Sequence, residues 1–118
     1  MTLAMVFPGQ GSQSVGMMKA YGDLPEILQT IEEASDILSQ DIGKLMAEGP
    51  LEELNRTVNT QPAMVTADIA VYRAWRALGG RIPAMVAGHS LGEYAALVVA
   101  GAMSFAECLP LVRLRAIA

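Results

Sequence analysis

Apolar residues along this chain follow two distinct patterns. In residues 3–7 (Leu3, Ala4, Met5, Val6, Phe7) and 84–87 (Ala84, Met85, Val86, Ala87) they are continuous, and Pro8-Gly9 and Gly88 bring them to a stop. Such short runs suit strands covered on both faces, as in a parallel sheet. Elsewhere the apolar positions recur at helical spacing. Ile27, Leu28, Ile31, Ala34, Ile37 and Leu38 predict a helix over residues 25–38, with Pro25 in the first turn, where its missing N–H leaves no bond unmade. Shorter helical pieces are expected over 42–47 and 51–54, parted by Gly49-Pro50. A long helix is expected over 62–78, opening after Thr60, carrying Met64, Ile69, Tyr72 and Trp75 among alanines and ending at Gly79-Gly80. Another over 91–100 is closed by Gly101. Ser104 and Glu107 are spaced as a capping box, and the helix they start is still running at Ala118.

Strands separated by helices imply an α/β architecture with a parallel sheet and right-handed crossovers. Two strands alone make a thin sheet, and the last helix carries no stop signal. Residues 1–118 are therefore expected to be a single, truncated part of a larger domain.

Composition narrows the classes. Apolar residues make up 53% and aromatics 5%; much of the excess is alanine and methionine, which suits helices packed closely on a sheet. Eight basic residues against twelve acidic ones give a formal charge of −4, and no stretch gathers the Lys and Arg that a nucleic-acid backbone requires. With Cys108 the single cysteine and His89 the single histidine, neither an internal disulfide nor a structural zinc site can be built from this chain. The longest apolar run, residues 95–103, is about half of what a membrane span needs. No charged leader precedes the first apolar run, so a cytoplasmic protein without membrane contact is expected.

Gly88-His89-Ser90-Leu91-Gly92 fits the G-x-S-x-G pattern of a nucleophile elbow and sits between an expected strand and an expected helix, the context that motif requires. A sharp turn there presents the Ser90 hydroxyl where a base can reach it. Glycine is needed at 88 and 92 because side chains would collide with neighbouring backbone. The N–H of Leu91, at a helix N-terminus, would point at an oxyanion. The same five residues could be a plain flexible loop; their placement favours the elbow. His89 points away from its neighbour's side chain and is read as structural rather than as the base.

Phe7-Pro8-Gly9-Gln10-Gly11-Ser12-Gln13 leaves the first strand at the sheet end where Ser90 is expected, since parallel strands share their carboxyl ends. A dinucleotide fingerprint would need glycine where Ser14 stands, and a Walker loop would need Gly-Lys-Ser/Thr. An ordinary turn is the other alternative. What the loop offers is amide and backbone donors beside the serine.

Taken together and in order, Phe7 to Gln13, Thr60-Gln61-Pro62-Ala63, and Gly88-His89-Ser90-Leu91-Gly92-Glu93-Tyr94 resemble the malonyl-CoA:acyl-carrier-protein transacylases of bacterial fatty-acid synthesis. The resemblance spans the whole chain. It implies the large, α/β-hydrolase-like subdomain of an acyltransferase, with the smaller ferredoxin-like subdomain absent from residues 1–118. It implies that Ser90 is acylated, that Gln10 and the amide of Leu91 form the oxyanion hole, and that Gln61 lines the pocket. It also places Arg115 against the carboxylate of malonyl. Geometry agrees: a helix after Ser90 rises roughly 15 Å, and the one from Ser104 can descend roughly 16 Å, so that antiparallel packing of the two would return Arg115 to the level of Ser90. Arg113, about 200° away around the helix, should face elsewhere. Without the resemblance, both arginines would read as solvated surface charges.

The implied chemistry is transfer of malonyl from coenzyme A to the phosphopantetheine thiol of acyl carrier protein through a seryl ester, with no metal or redox cofactor. Arg115 would select acyl groups ending in a carboxylate, since a buried guanidinium left unpaired by acetyl is costly. The catalytic histidine and its orienting group are expected beyond Ala118, the fragment alone is expected to be inactive and prone to aggregate, and the complete enzyme is expected to be a monomer. Three rivals stand beside this reading. An α/β-hydrolase esterase would carry a His-Gly-Gly-Gly type loop instead of Gly-Gln-Gly. A non-catalytic module binding acyl carrier protein or coenzyme A would form no ester. A polyketide-synthase acyltransferase would differ in downstream specificity motifs, and Met1 directly ahead of the first strand leans towards a stand-alone enzyme.

Overall fold

The computed structural model describes residues 4–7, 16–18, 24–80, 85–88 and 92–117. Among them the elements run β1 (Ala4–Phe7), α1 (Pro25–Leu38), α2 (Ile42–Glu48), α3 (Leu51–Leu54), α4 (Thr57–Ala77), β2 (Met85–Gly88), α5 (Gly92–Val99) and α6 (Phe105–Ile117). The two strands pair in parallel, with Ala4 opposite Met85 and Phe7 opposite Gly88. Because β1 and β2 end side by side, the segments that follow them leave the sheet at one end. α5 packs on both strands and on α4.

The helix α1 has the expected bounds. Ile27, Thr30, Ala34 and Leu38 form its buried stripe, and Ser39 closes it in a left-handed conformation (φ 52°) with its N–H donating to the carbonyl of Ser35. At the start of α2, Asp41 Oδ1 accepts from the N–H of Lys44 at 2.9 Å. The capping box at α6 is formed in both directions: the N–H of Glu107 donates to Ser104 Oγ at 3.1 Å, and that of Ser104 to Glu107 Oε1 at 3.4 Å.

The main departure concerns α4. Its apolar pattern starts at Pro62, yet the helix begins at Thr57 and Pro62 lies inside it. In this added stretch Asn59, Thr60 and Gln61 are polar and still buried, and the first two satisfy the end of α3. Asn59 Nδ2 donates to the carbonyl of Glu53 at 2.9 Å, and Thr60 Oγ1 donates to that of Leu54. Pro62 gives up one ladder bond in return for a start anchored on α3. Residues 59–70 are buried on every side of the helix, so α4 is the central rod against which α1, α3, α5 and α6 pack. Trp75, near its far end, is 41% exposed rather than in the core. Among the described residues no helix is long and apolar enough to cross a membrane.

Candidate functional site

Three elements converge beside the shared end of the strands. Gly88, the last residue of β2, comes two positions before Ser90, and α5 starts two positions after it. Phe7, opposite Gly88, comes three positions before Gln10. Ser90, Leu91, His89 and Gln10 themselves lie outside the described residues. So does the loop of residues 8–15.

The other two candidate residues are in direct contact. Gln61, only 5% exposed, projects from α4, and Arg115 from the last turn of α6; Arg115 Nη1 donates to Gln61 Oε1 at 2.8 Å. The Arg115 guanidinium also lies over the ring of Tyr94, 5.6 Å from its centroid. Tyr94 stands in the first turn of α5, four positions after Ser90. The expected antiparallel return of α6 thus brings Arg115 to the start of the helix that follows Ser90. One expectation needs correcting: Arg115 is exposed, not buried. Of the two groups that hold it, Gln61 is buried and Tyr94 partly so.

Arg113 faces elsewhere, as expected, though not into solvent. Its Nη1 donates to the carbonyl of Leu38 at 3.0 Å and its Nη2 to Gln40 Oε1, so it caps the C-terminal end of α1, where a cation meets the helix dipole favourably. Gln40 Nε2 in turn donates to Asn59 Oδ1 at 3.0 Å. This chain of bonds joins α6, α1 and the start of α4, and it fixes the spacing between the helices that carry Arg115 and Gln61.

Two buried titratable groups complete the interior. Asp68, 8% exposed, follows Gln61 by two helical turns on nearly the same face of α4. Its Oδ2 has no hydrogen-bond partner among the described residues, and burial pushes the carboxyl from its usual 3.8 up to about 7. Burial likewise lifts the Cys108 thiol to about 11, which keeps it neutral. Sequence reasoning missed Asp68, although it is the one acidic residue in the apolar run 63–70. It treated Tyr94 only as a member of a motif.

Comparison with known proteins gives a consistent picture. The profile of the family described as acyl transferase domain matches residues 4–117. The malonyl CoA-acyl carrier protein transacylase of Escherichia coli (strain K12) is 53% identical over 113 residues, covering 95% of this chain and 37% of that protein. The crystal structure of an acyl-carrier-protein S-malonyltransferase from Burkholderia pseudomallei superposes with a TM-score of 0.98 at 62% identity, covering 99% of this chain and 38% of that one. A type II PKS acyl-carrier protein in complex with its malonyl-transacylase gives a TM-score of 0.95 at 49% identity, with 99% and 38% covered. The chain therefore spans well under half the length of the relatives it matches.

Proposed function

Because the chain belongs to the acyl transferase domain family, we propose that it carries the nucleophile-bearing part of an enzyme that moves a malonyl group from coenzyme A to acyl carrier protein. The observation that carries this reading is the meeting of Arg115 with Gln61 of α4 and with Tyr94 in the first turn of α5. It brings a cation able to pair with a carboxylate to the first turn of the helix that follows the G-x-S-x-G segment in the chain. Names of relatives, and a solved relative bound to an acyl-carrier protein, point to the same substrates.

In this reading residues 1–118 are one part of an α/β-hydrolase-like large subdomain, and a ferredoxin-like subdomain lies outside them. Ser90 Oγ attacks the thioester carbonyl and passes its proton to a histidine outside this chain. The oxyanion is held by the N–H of Leu91 with support from Gln10. The C–S bond breaks, coenzyme A leaves as the thiol with that proton, and a malonyl ester remains on Ser90. The phosphopantetheine thiol then attacks the ester, and its proton returns to Ser90. Both steps exchange one acyl bond for another with no change of oxidation state, so no redox cofactor enters; coenzyme A is substrate and product. We place the complete enzyme in the cytoplasm as a monomer, without a nucleic-acid or membrane partner.

Arg115, exposed but held, pairs with the malonyl carboxylate as a charge-assisted fork, a contact acetyl cannot make. In a full-length protein carrying this segment, Arg115→Ala lowers malonyl transfer and raises transfer of acetyl relative to malonyl. An unchanged acyl preference would remove Arg115 from the site. An esterase with the same elbow would instead hydrolyse simple esters without any thiol acceptor.

A further inference from the structure

We propose that Tyr94 is a positioning residue for Arg115, its ring face setting the plane in which the guanidinium meets the malonyl carboxylate; this rests on the reading that Arg115 binds that carboxylate. The argument starts from mobility. Arg115 is exposed at the end of α6, and a long side chain in that situation samples many rotamers. A two-point contact with a carboxylate requires one plane and one level.

Gln61 supplies one constraint. Its side chain is 5% exposed and its Oε1 accepts from Arg115 Nη1 at 2.8 Å, which fixes one corner of the guanidinium. Contact at one corner does not by itself set the plane of the group. The second constraint is Tyr94, whose ring centroid is 5.6 Å from Arg115 Cζ. Tyr94 is partly buried and packs against the main apolar core, so its ring is a fixed surface rather than a second mobile group. Two anchored side chains from α4 and α5 thus hold one exposed tip from α6. Because Tyr94 is rooted in the helix that follows Ser90, the contact also ties the cation's level to that of the nucleophile.

The same molecule contains a second arginine over a ring, Arg73 over Phe105 at 5.0 Å, with Glu33 Oε2 at 2.7 Å from Arg73 Nη1. That pair ties helices together. If Tyr94 did no more, its loss would weaken the fold and affect all acyl groups alike, and that difference is measurable.

In a full-length protein carrying this segment, Tyr94→Leu, Tyr94→Met and Tyr94→Phe are compared with the wild type and with Arg115→Ala, using malonyl-CoA and acetyl-CoA as donors. The readout is the malonyl-to-acetyl ratio of kcat/KM, which cancels any loss of folded enzyme. Removing the ring is expected to lower this ratio about three- to fivefold, chiefly through a higher KM for malonyl-CoA, and Phe is expected to restore it. The proposal is overturned if Leu and Met leave the ratio unchanged, or if Phe is as damaging as Leu. Should Arg115→Ala itself leave the ratio unchanged, the carboxylate reading fails and the Tyr94 proposal with it. If Arg115→Ala collapses the ratio while Leu and Met do not, only the role of Tyr94 falls.

Discussion

Arg115 and Gln61 stand 54 positions apart in the chain and meet through one hydrogen bond, Nη1 to Oε1 at 2.8 Å. The bond joins the last turn of α6 to the buried stretch of α4, and its polarity matters as much as its length. An amide oxygen orients a cation without neutralising it, so the guanidinium keeps its charge for a substrate. Gln61→Glu would put a carboxylate in the same place and let it compete with malonyl. KM for malonyl-CoA is expected to rise by about tenfold or more, with acetyl transfer little affected, as steady-state kinetics on both donors would show. An unchanged malonyl KM would mean that Gln61 does not control the cation.

Arg113 provides the contrast two positions away. Its bonds to the carbonyl of Leu38 and to Gln40 hold α6 against the end of α1. Arg113→Ala is expected to lower stability by about 1–3 kcal/mol, read as a shift in the urea midpoint, while the malonyl-to-acetyl ratio stays as in wild type. A change in acyl preference as large as that of Arg115→Ala would place Arg113 in the site after all.

Asp68 gives a dependence on pH. Its carboxyl is neutral in the folded protein up to about pH 7, whereas in the unfolded chain it ionises near 3.8. The unfolded state therefore holds fewer protons between these values, so the contribution to stability is fully present below about pH 4 and is lost as pH rises through 7. Asp68→Asn keeps the shape and removes the titration. It is expected to stabilise the protein at pH 8 by up to roughly 4 kcal/mol and to change little at pH 4. Equal unfolding midpoints for variant and wild type at pH 8 would show that the carboxylate is accommodated without cost.

How much of this could be read from the sequence follows from how local each cause is. The bounds of α1 and α3 and the Ser104–Glu107 capping box depend on neighbours in the chain, and they match. The parallel pairing of the two apolar runs also followed from their continuity. The start of α4 did not, because Thr57, Asn59, Thr60 and Gln61 look like a loop until α3 supplies carbonyls for Asn59 and Thr60 to bond. The same limit applies at the site. That Arg113 and Arg115 face different ways was legible from their angle around the helix; that Arg115 meets Gln61 was not. That it is exposed and leans on Tyr94 depends on how α4, α5 and α6 pack, which no spacing in the chain encodes.

The most direct measurement concerns position 90. A full-length protein carrying this segment is mixed with malonyl-CoA, quenched in acid, digested and sequenced by mass spectrometry. The expected result is one malonyl group esterified to Ser90, discharged on adding acyl carrier protein with its phosphopantetheine thiol, and missing in Ser90→Ala. Malonyl transfer that persists in Ser90→Ala, or a label that settles on another residue, would contradict the account.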